Sequence, residues 1–259
     1  MNEIEKQSFK INLLNGDSML PTIANDPALI NAMQNDEEIK ILRKKLLQAI
    51  VKYKYTYNFT WYGRPIIQLP EDIVAIQEIV LNAKPDMIIE TGVAHGGGLV
   101  LYASLLEILG KGSVIGVDIE IRKHNREALE NHPLFKRITL IEGSSTDATI
   151  FSQVSDLCKP AKNVMVILDS DHTHEHVLRE LALYSTLVRK NGYLIVFDTG
   201  IEDVDGPAYP NRRWGKGNNP KTAVWEFLKK NDRFIIDKEI ENRLMVTVAP
   251  DGYLKCVKD

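Results

Sequence analysis

The feature that most constrains this chain is an alternation that begins near Glu71. A helical period, EDIVAIQEIVLNA, is followed by a short apolar run, DMIIET, then by a Gly-rich turn and a second helix, GGLVLYASLLEIL. Strand SVIGVDI, helix HNREALENH, strand RITLIEG, helix DATIFSQVSDLC, strand NVMVILD, helix HEHVLRELALYSTLV and strand YLIVFDT come next. Short apolar runs bounded by Gly, Asp and Pro, separated by helical periods, are what βαβ units need to bury a parallel sheet on both faces. The end differs: after helix KTAVWEFLKK, strands RFIID and RLMVTVAP follow one another with no helix between them. The prediction is an α/β chain with a doubly wound, mostly parallel seven-stranded sheet and an antiparallel hairpin at one edge.

Residues 1–69 read differently. They are mostly polar and helical in period. From Asp36 the run DEEIKILRKKLLQAI spaces apolar residues three and four apart, as an amphipathic helix does. An aromatic passage, KYKYTYNFTWYGRP, closes it and suits a packing or oligomer surface. The expected division is a helical extension over 1–69, serving assembly or as a lid, and the α/β domain over 70–259. A length of 259 residues allows a substantial core, and a net charge of −3 argues against nucleic acid as a partner. No apolar run is long enough for a membrane span, and the N-terminus MNEIEKQSFK lacks the apolar core of a secretory signal. Cys158 and Cys256 stand far apart without C-x-x-C spacing, as reduced thiols of a cytoplasmic protein do.

Doubly wound sheets bind ligands at the carboxyl ends of their strands, where strand order reverses. The first strand of the pattern ends Glu90-Thr91-Gly92-Val93-Ala94-His95-Gly96-Gly97-Gly98. Glycines let backbone approach a ligand closely and open a helix there. Ala94 occupies the place of the second glycine in G-x-G-x-x-G, which argues against a nicotinamide dinucleotide. Glu90 is placed to accept from the amino group of an amino-acid-like ligand. Asp118 closes the second strand, beside Ile119, where an acid accepts from ribose hydroxyls. The third strand leads into Ser144 and Ser145, small enough for the edge of an adenine. Together these positions outline a pocket for an adenosine-bearing cofactor.

The fourth strand runs into LDSDHTHEHV, which holds three of the six histidines. Zinc is a poor fit. No histidine follows His176, and imidazoles at alternate helical positions diverge by about 200°, so His172, His174 and His176 do not converge on one ion. Asp169 ends the fourth strand and Asp198 the fifth, its expected neighbour, so the pair forms an oxygen site suited to Mg²⁺. Asp171 is the expected cap of the following helix, or else a partner of this site on the side of the substrate. His172 lies between the two and is placed to take a proton from a hydroxyl. His174 and His176 are expected to be surface or packing residues.

E-T-G-x-x-x-G after the first strand, an acid after the second and D-x-D-H after the fourth resemble the class I S-adenosylmethionine-dependent methyltransferases, whose fold is Rossmann-like. ETGVAHGGG, LDSDHTHEHV, IVFDT and WGKGNNPKTAVWEFL resemble the cephalosporin hydroxylase/rhamnosyl O-methyltransferase family, in a match from about Asn58 to near the C-terminus. The resemblance implies Mg²⁺-assisted methyl transfer from S-adenosylmethionine to a hydroxyl of a small molecule. That acceptor would be a surface-polysaccharide sugar, a nucleotide-linked sugar or a natural product. The resemblance also implies a homo-oligomer. It places Glu90, Gly92 and Gly96 in the cofactor loop, Asp118 on the ribose, and Asp169 and Asp198 on the metal. It puts His172 where related enzymes carry a catalytic lysine.

The chain departs from the family at Phe197-Asp198, where some members have Glu-Asp. A ligand is therefore expected from Thr199, Glu202 or Asp203. Arg212, Arg213, Trp214 and Lys216, in a long Gly/Pro/Asn-rich loop, are placed to meet a sugar phosphate or nucleotide-linked sugar, with Trp214 stacking on a ring. Two alternatives stand beside this reading. One is a methyltransferase-like binding subunit without catalysis. The other is an NAD-dependent short-chain dehydrogenase, for which the chain lacks a well-placed Tyr-x-x-x-Lys pair.

Overall fold

The computed structural model describes residues 26–205 and 211–259. The expectations for residues 1–25 lie outside that range. The described chain enters through α1 (Pro27–Asn35) and α2 (Glu37–Val51), each started by an aspartate. Asp36 caps α2 by accepting from the amides of Glu38 and Ile39, which satisfies two of the orphan donors of a first turn. α2 buries no residue, and its Ile41, Leu42 and Leu46 stand exposed. After a single 3₁₀ turn, β1 (Phe59–Trp61) and β2 (Arg64–Ile66) form an antiparallel hairpin. This hairpin belongs to the main body: Trp61 Nε1 donates to Ser104 Oγ at 3.0 Å, and Ile66 and Leu69 are buried. The compositional change near residue 69 is therefore not an edge of packing.

The remaining elements alternate. They run α3 (Pro70–Ala83), β3 (Met87–Thr91), α4 (Gly97–Leu109), β4 (Ser113–Asp118), α5 (Lys123–Glu130), β5 (Ile138–Glu142), α6 (Ala148–Cys158) and β6 (Val164–Leu168). Then come α7 (His174–Tyr184), β7 (Tyr193–Val196), α8 (Pro220–Lys230), β8 (Phe234–Ile236), α9 (Lys238–Glu241) and β9 (Tyr253–Cys256). The seven strands of the large sheet lie in the order β5-β4-β3-β6-β7-β9-β8. β3 to β7 run parallel to one another, and β9 is antiparallel to both β7 and β8.

Successive strand residues serve opposite faces of the sheet. Ile88 and Met165 pack with α3 and α4, around Ile76, Leu99 and Tyr102. Ile89 and Val166 pack with α6, α7 and α8, around Val154, Leu181 and Val224. Both faces are covered, which is why the strands read as continuous apolar runs rather than alternating ones. Strand order reverses between β3 and β6, so their carboxyl ends diverge around a crevice. Among the described residues no helix is long and apolar enough to cross a membrane.

One expectation is corrected. Arg243–Pro250 does not form the last strand; that strand is Tyr253–Cys256, inserted between β7 and β8. The short helix α9 intervenes, capped by Asp237, whose carboxylate accepts from Glu239 and Ile240. The stretch expected to be a strand is instead held by Asp72 in the first turn of α3. Asp72 takes the Thr247 hydroxyl at 2.5 Å and the Val248 amide at 2.9 Å. Backbone groups held by a buried carboxylate are not available to a ladder.

Candidate active site

At the carboxyl ends of β3, β4 and β6 lies a cleft of about 640 Å³. Glu90, Gly92, Ala94, Gly97, Asp118, Ile119, Ser144, Ser145, Asp169, Asp171, His172 and Asp198 line it. Most of the residues singled out from the sequence thus meet in one place. Thr91 is fully buried behind it, and Gly96 opens α4 in the left-handed conformation with φ +80°.

The turn after β3 is shaped by two close approaches. Gly92 has φ +90°, and a Cβ there would fall 2.6 Å from the Asp169 carbonyl carbon. Only glycine lets β3 and β6 converge so tightly at the crevice. A Cβ at Gly98 would lie 3.0 Å from the Glu90 Cδ, so the start of α4 rests on that carboxyl group. Glu90 is buried and accepts from the Tyr102 hydroxyl at 2.8 Å. Burial pushes its carboxyl group up to about 8, the Tyr102 bond resisting and the charge of Asp118 adding to the rise.

Asp118 holds the loop beside its expected ribose role. One oxygen accepts from the amides of Val93 (2.7 Å) and Ala94 (3.2 Å), the other from that of Glu120 (3.2 Å). A carboxylate offers about four acceptor sites, so one is left to face the cleft. The hairpin braces the same loop from outside. Arg64 donates to the His95 carbonyl and to Asn125 Oδ1, and Asn125 donates to the Ala94 carbonyl at 2.8 Å. Sequence reasoning passed over Arg64, because only the fold of the hairpin brings it there.

On the far side of the crevice Asp169, His172 and Asp198 place their ligating atoms within 4.8 Å of one another. His172 Nε2 lies 3.1 Å from Asp198 Oδ2. Burial drives the Asp169 carboxyl group well up from its usual range, and the nearby charges of Asp198, Glu90 and Glu180 drive it further. Asp198 is held at φ +56°, a left-handed conformation that aspartate tolerates better than most residues and that turns the chain sharply at the end of β7. Phe197 carries no ligating atom and is packed into the core, where it is 1% exposed.

Glu202 and Asp203 do not fill the gap. Glu202 accepts from the Gly217 amide at 2.8 Å and from Asn219, and Asp203 pairs with Lys221 Nζ at 2.7 Å. Thr199 donates to the Pro250 carbonyl at 2.7 Å. Glu202 and Asp203 serve the connection into α8 and Thr199 the segment ahead of β9, while the side chain grouped with Asp169 and Asp198 is that of His172.

The rest of the histidine-rich stretch is divided. Asp171 is not the cap of α7: it accepts at 2.9 Å from the amide of Thr173, the residue before the helix, and pairs with Arg213 at 2.7 Å. Asn218 supplies the acceptor for the first α7 amide, that of His174. His174 joins α7 to α8 through Thr222 and Glu226, as a packing residue does. His176 differs from expectation: it lines the cleft and bridges Ser145 Oγ and Ser170 Oγ, each at 3.1 Å. Burial alone would lower its pKa, but Glu180 behind it outweighs that and raises it. Trp214 stands edge-on to His172 with centroids 5.2 Å apart, Arg212 lies 5.7 Å over the Trp214 ring, and Lys216 pairs with Asp205.

This geometry agrees with what the sequence is similar to. The profile of the rhamnosyl O-methyltransferase/CmcI family matches residues 53–257. The chain belongs to this family. By family it is an O-methyltransferase. A rhamnosyl O-methyltransferase of Mycobacterium bovis (strain BCG / Pasteur 1173P2) is 33% identical over 201 residues, covering 75% of this chain and 77% of that protein. Among solved structures, apo CmcI superposes with a TM-score of 0.54 at 22% identity, covering 78% of both chains. A CmcI structure with Mg and SAM gives 0.53 at 21%, over 78% of this chain and 77% of the other. At that identity these two likenesses establish the fold.

Proposed function

We propose that this chain transfers a methyl group from S-adenosylmethionine to a sugar hydroxyl, with a divalent cation of the Mg²⁺ kind held between Asp169 and Asp198. The acidic lining of the cleft carries the reading. Glu90, Asp118, Asp169, Asp171 and Asp198 line it, against Arg213 as the lining guanidinium. Such a lining favours a donor that bears a sulfonium and an ammonium, and disfavours the diphosphate of a nicotinamide dinucleotide. Within it, Glu90 would receive the ammonium, Asp118 the ribose, and Ile119 with Ser144 and Ser145 the adenine. Ile119 is 71% exposed, an apolar shelf beside the acid that suits a flat base.

The donor set at Asp169, His172 and Asp198 fits a divalent cation: two hard carboxylates in reach of one another, with an imidazole beside them. When bound there, the ion supplies positive charge that polarises the acceptor hydroxyl. The chain's own residues do the rest. Asp198 faces His172 Nε2, which fixes the ring and leaves Nδ1 to take the hydroxyl proton. The walls of the cleft hold the oxygen in line with the methyl group. Trp214, edge-on to His172, would provide the apolar face on which a sugar ring rests. The naming of the mycobacterial relatives as rhamnosyl O-methyltransferases supports a deoxyhexose or another glycan sugar as acceptor. The exposed apolar residues of α2 support a homo-oligomer, and a cytoplasmic setting completes the proposal.

A second assignment of His172, as the third metal ligand, is favoured by the clustering of the three side chains. Titration of Mn²⁺ into His172→Ala separates the two roles. Retained metal affinity with lost turnover marks a base, and loss of both marks a ligand. The whole proposal is tested by calorimetry with S-adenosylhomocysteine and NAD, then by turnover on rhamnosides and nucleotide-linked sugars with and without EDTA. Asp169→Ala and Asp198→Ala should abolish turnover and metal dependence. Binding of NAD in place of S-adenosylhomocysteine, or turnover indifferent to EDTA and to both substitutions, overturns it.

A further inference from the structure

A buried amide beside the cofactor cleft is left over from every role assigned so far. Gln68 is 4% exposed, and its Oε1 is sealed from solvent without a hydrogen-bond partner among the described residues. Buried carbonyl oxygens are rarely left unpaired, because desolvation then goes uncompensated. Gln68 also lines the cleft, so its amide stands in the wall against which a bound ligand would lie.

Its neighbours say which end of the ligand that is. Gln68 follows β2, whose Ile66 lies so close to the start of α4 that a Cβ at Gly97 would come 2.7 Å from the Ile66 Cα. The next residue, Gly98, rests on the Glu90 carboxyl group, 3.0 Å from Cδ to an added Cβ. The chain of contacts Ile66–Gly97–Gly98–Glu90 places the β2 segment and Glu90 on one wall. That wall is where the amino-acid end of the methyl donor is proposed to sit. An ammonium presents three donors, more than a single carboxylate that already accepts from Tyr102 is suited to absorb. A neutral amide oxygen supplies a further acceptor without placing a second negative charge against Glu90.

We infer that Gln68 accepts a hydrogen bond from the α-ammonium group of the S-adenosyl ligand and so selects ligands that carry an amino-acid end. This rests on the methyl-donor reading of the cleft. It predicts a specific energetic signature, because 5′-methylthioadenosine keeps the adenosine and lacks the ammonium.

The test is calorimetry of S-adenosylhomocysteine and 5′-methylthioadenosine on wild type, Gln68→Met and Gln68→Glu. Gln68→Met keeps the side-chain volume and removes the acceptor. It should weaken S-adenosylhomocysteine about 10- to 100-fold, the worth of a hydrogen bond to a charged group, and leave 5′-methylthioadenosine unchanged. Gln68→Glu keeps an acceptor and should retain the preference between the two ligands. Gln68→Ala serves as the second deletion if the Met variant does not fold by circular dichroism. An unchanged ratio of the two affinities in the deletion variant overturns the assignment, whether both ligands weaken equally or neither does. Failure of the wild type to bind S-adenosylhomocysteine would instead overturn the methyl-donor reading itself.

Discussion

Glu90 offers a prediction whose size can be worked out in advance. Its carboxyl group is pushed up to about 8 by burial, so near neutral pH most of the free protein carries it protonated. The ammonium group of the ligand pairs with the ionised form, so binding has to drive off the proton. At about pH 6 only about one molecule in a hundred is ionised, and apparent affinity is reduced by that factor. S-adenosylhomocysteine affinity should therefore rise about tenfold per pH unit toward pH 8 and flatten above it. In the free protein the same group acts in the opposite sense. Its folded pKa lies above the ordinary 4.5, so its contribution to stability is complete below about pH 4.5 and is lost as pH rises through about 8. Ligand affinity and free-protein stability should thus move in opposite directions with pH. Calorimetry and urea unfolding of wild type against Glu90→Gln measure both, the difference between the two proteins isolating this side chain. A flat wild-type affinity from about pH 6 to 8, or a full slope surviving in Glu90→Gln, refutes the reasoning.

Three further outcomes are expected. Gly92→Ala forces the turn off Asp169 by about 1 Å, enough to cost on the order of a hundredfold in turnover; S-adenosylhomocysteine and Mn²⁺ affinities should fall together, and loss of one alone would contradict the shared contact. Tyr253→Phe removes a 2.5 Å hydrogen bond to Asp72, whose carboxyl group burial pushes up to about 6. The loss should reach about 2 kcal/mol at pH 8, where the acceptor is ionised, and be smaller at pH 5, as read by urea midpoints. His176→Ala frees the Ser145 hydroxyl and should weaken 5′-methylthioadenosine and S-adenosylhomocysteine alike, several-fold, in contrast to the ligand-selective effect expected at Gln68.

What could be read from the sequence was what depends on position along a strand. Glu90, Asp118, Asp169 and Asp198 stand where apolar runs stop, and in a parallel sheet those ends share one rim. What escaped notice reaches the site sideways. Arg64 comes from the hairpin and Gln68 from the residues just after it, upstream of the sheet, and Tyr102 reaches Glu90 from one turn inside α4. His176 reads from the sequence as a surface or packing residue because the helical period does not say which face meets the cleft, and the partner that ties it there, Ser145, lies 31 residues away. The final strand of the sheet differs from its expected place for a related reason. LMVTV has strand-like residues, but Asp72 of α3 takes its polar groups. No local pattern reports a contact made across 176 residues.

The position of β9 has a consequence for how the molecule is made. β9 leaves the ribosome after β7 and β8, yet it lies between them in the sheet. Until residues 253–256 emerge, β7 has an open edge and β8 has no place to dock. The growing chain therefore carries a nearly finished binding rim on an unfinished sheet, with unpaired backbone on offer to any neighbouring strand. The pairing that closes it spans a large sequence separation for β7, from 193–195 to 253–255. Truncation just ahead of Tyr253 would leave Glu90, Asp118 and Asp169 in the chain and still turn the protein toward aggregation, because the missing piece is a seam rather than a site.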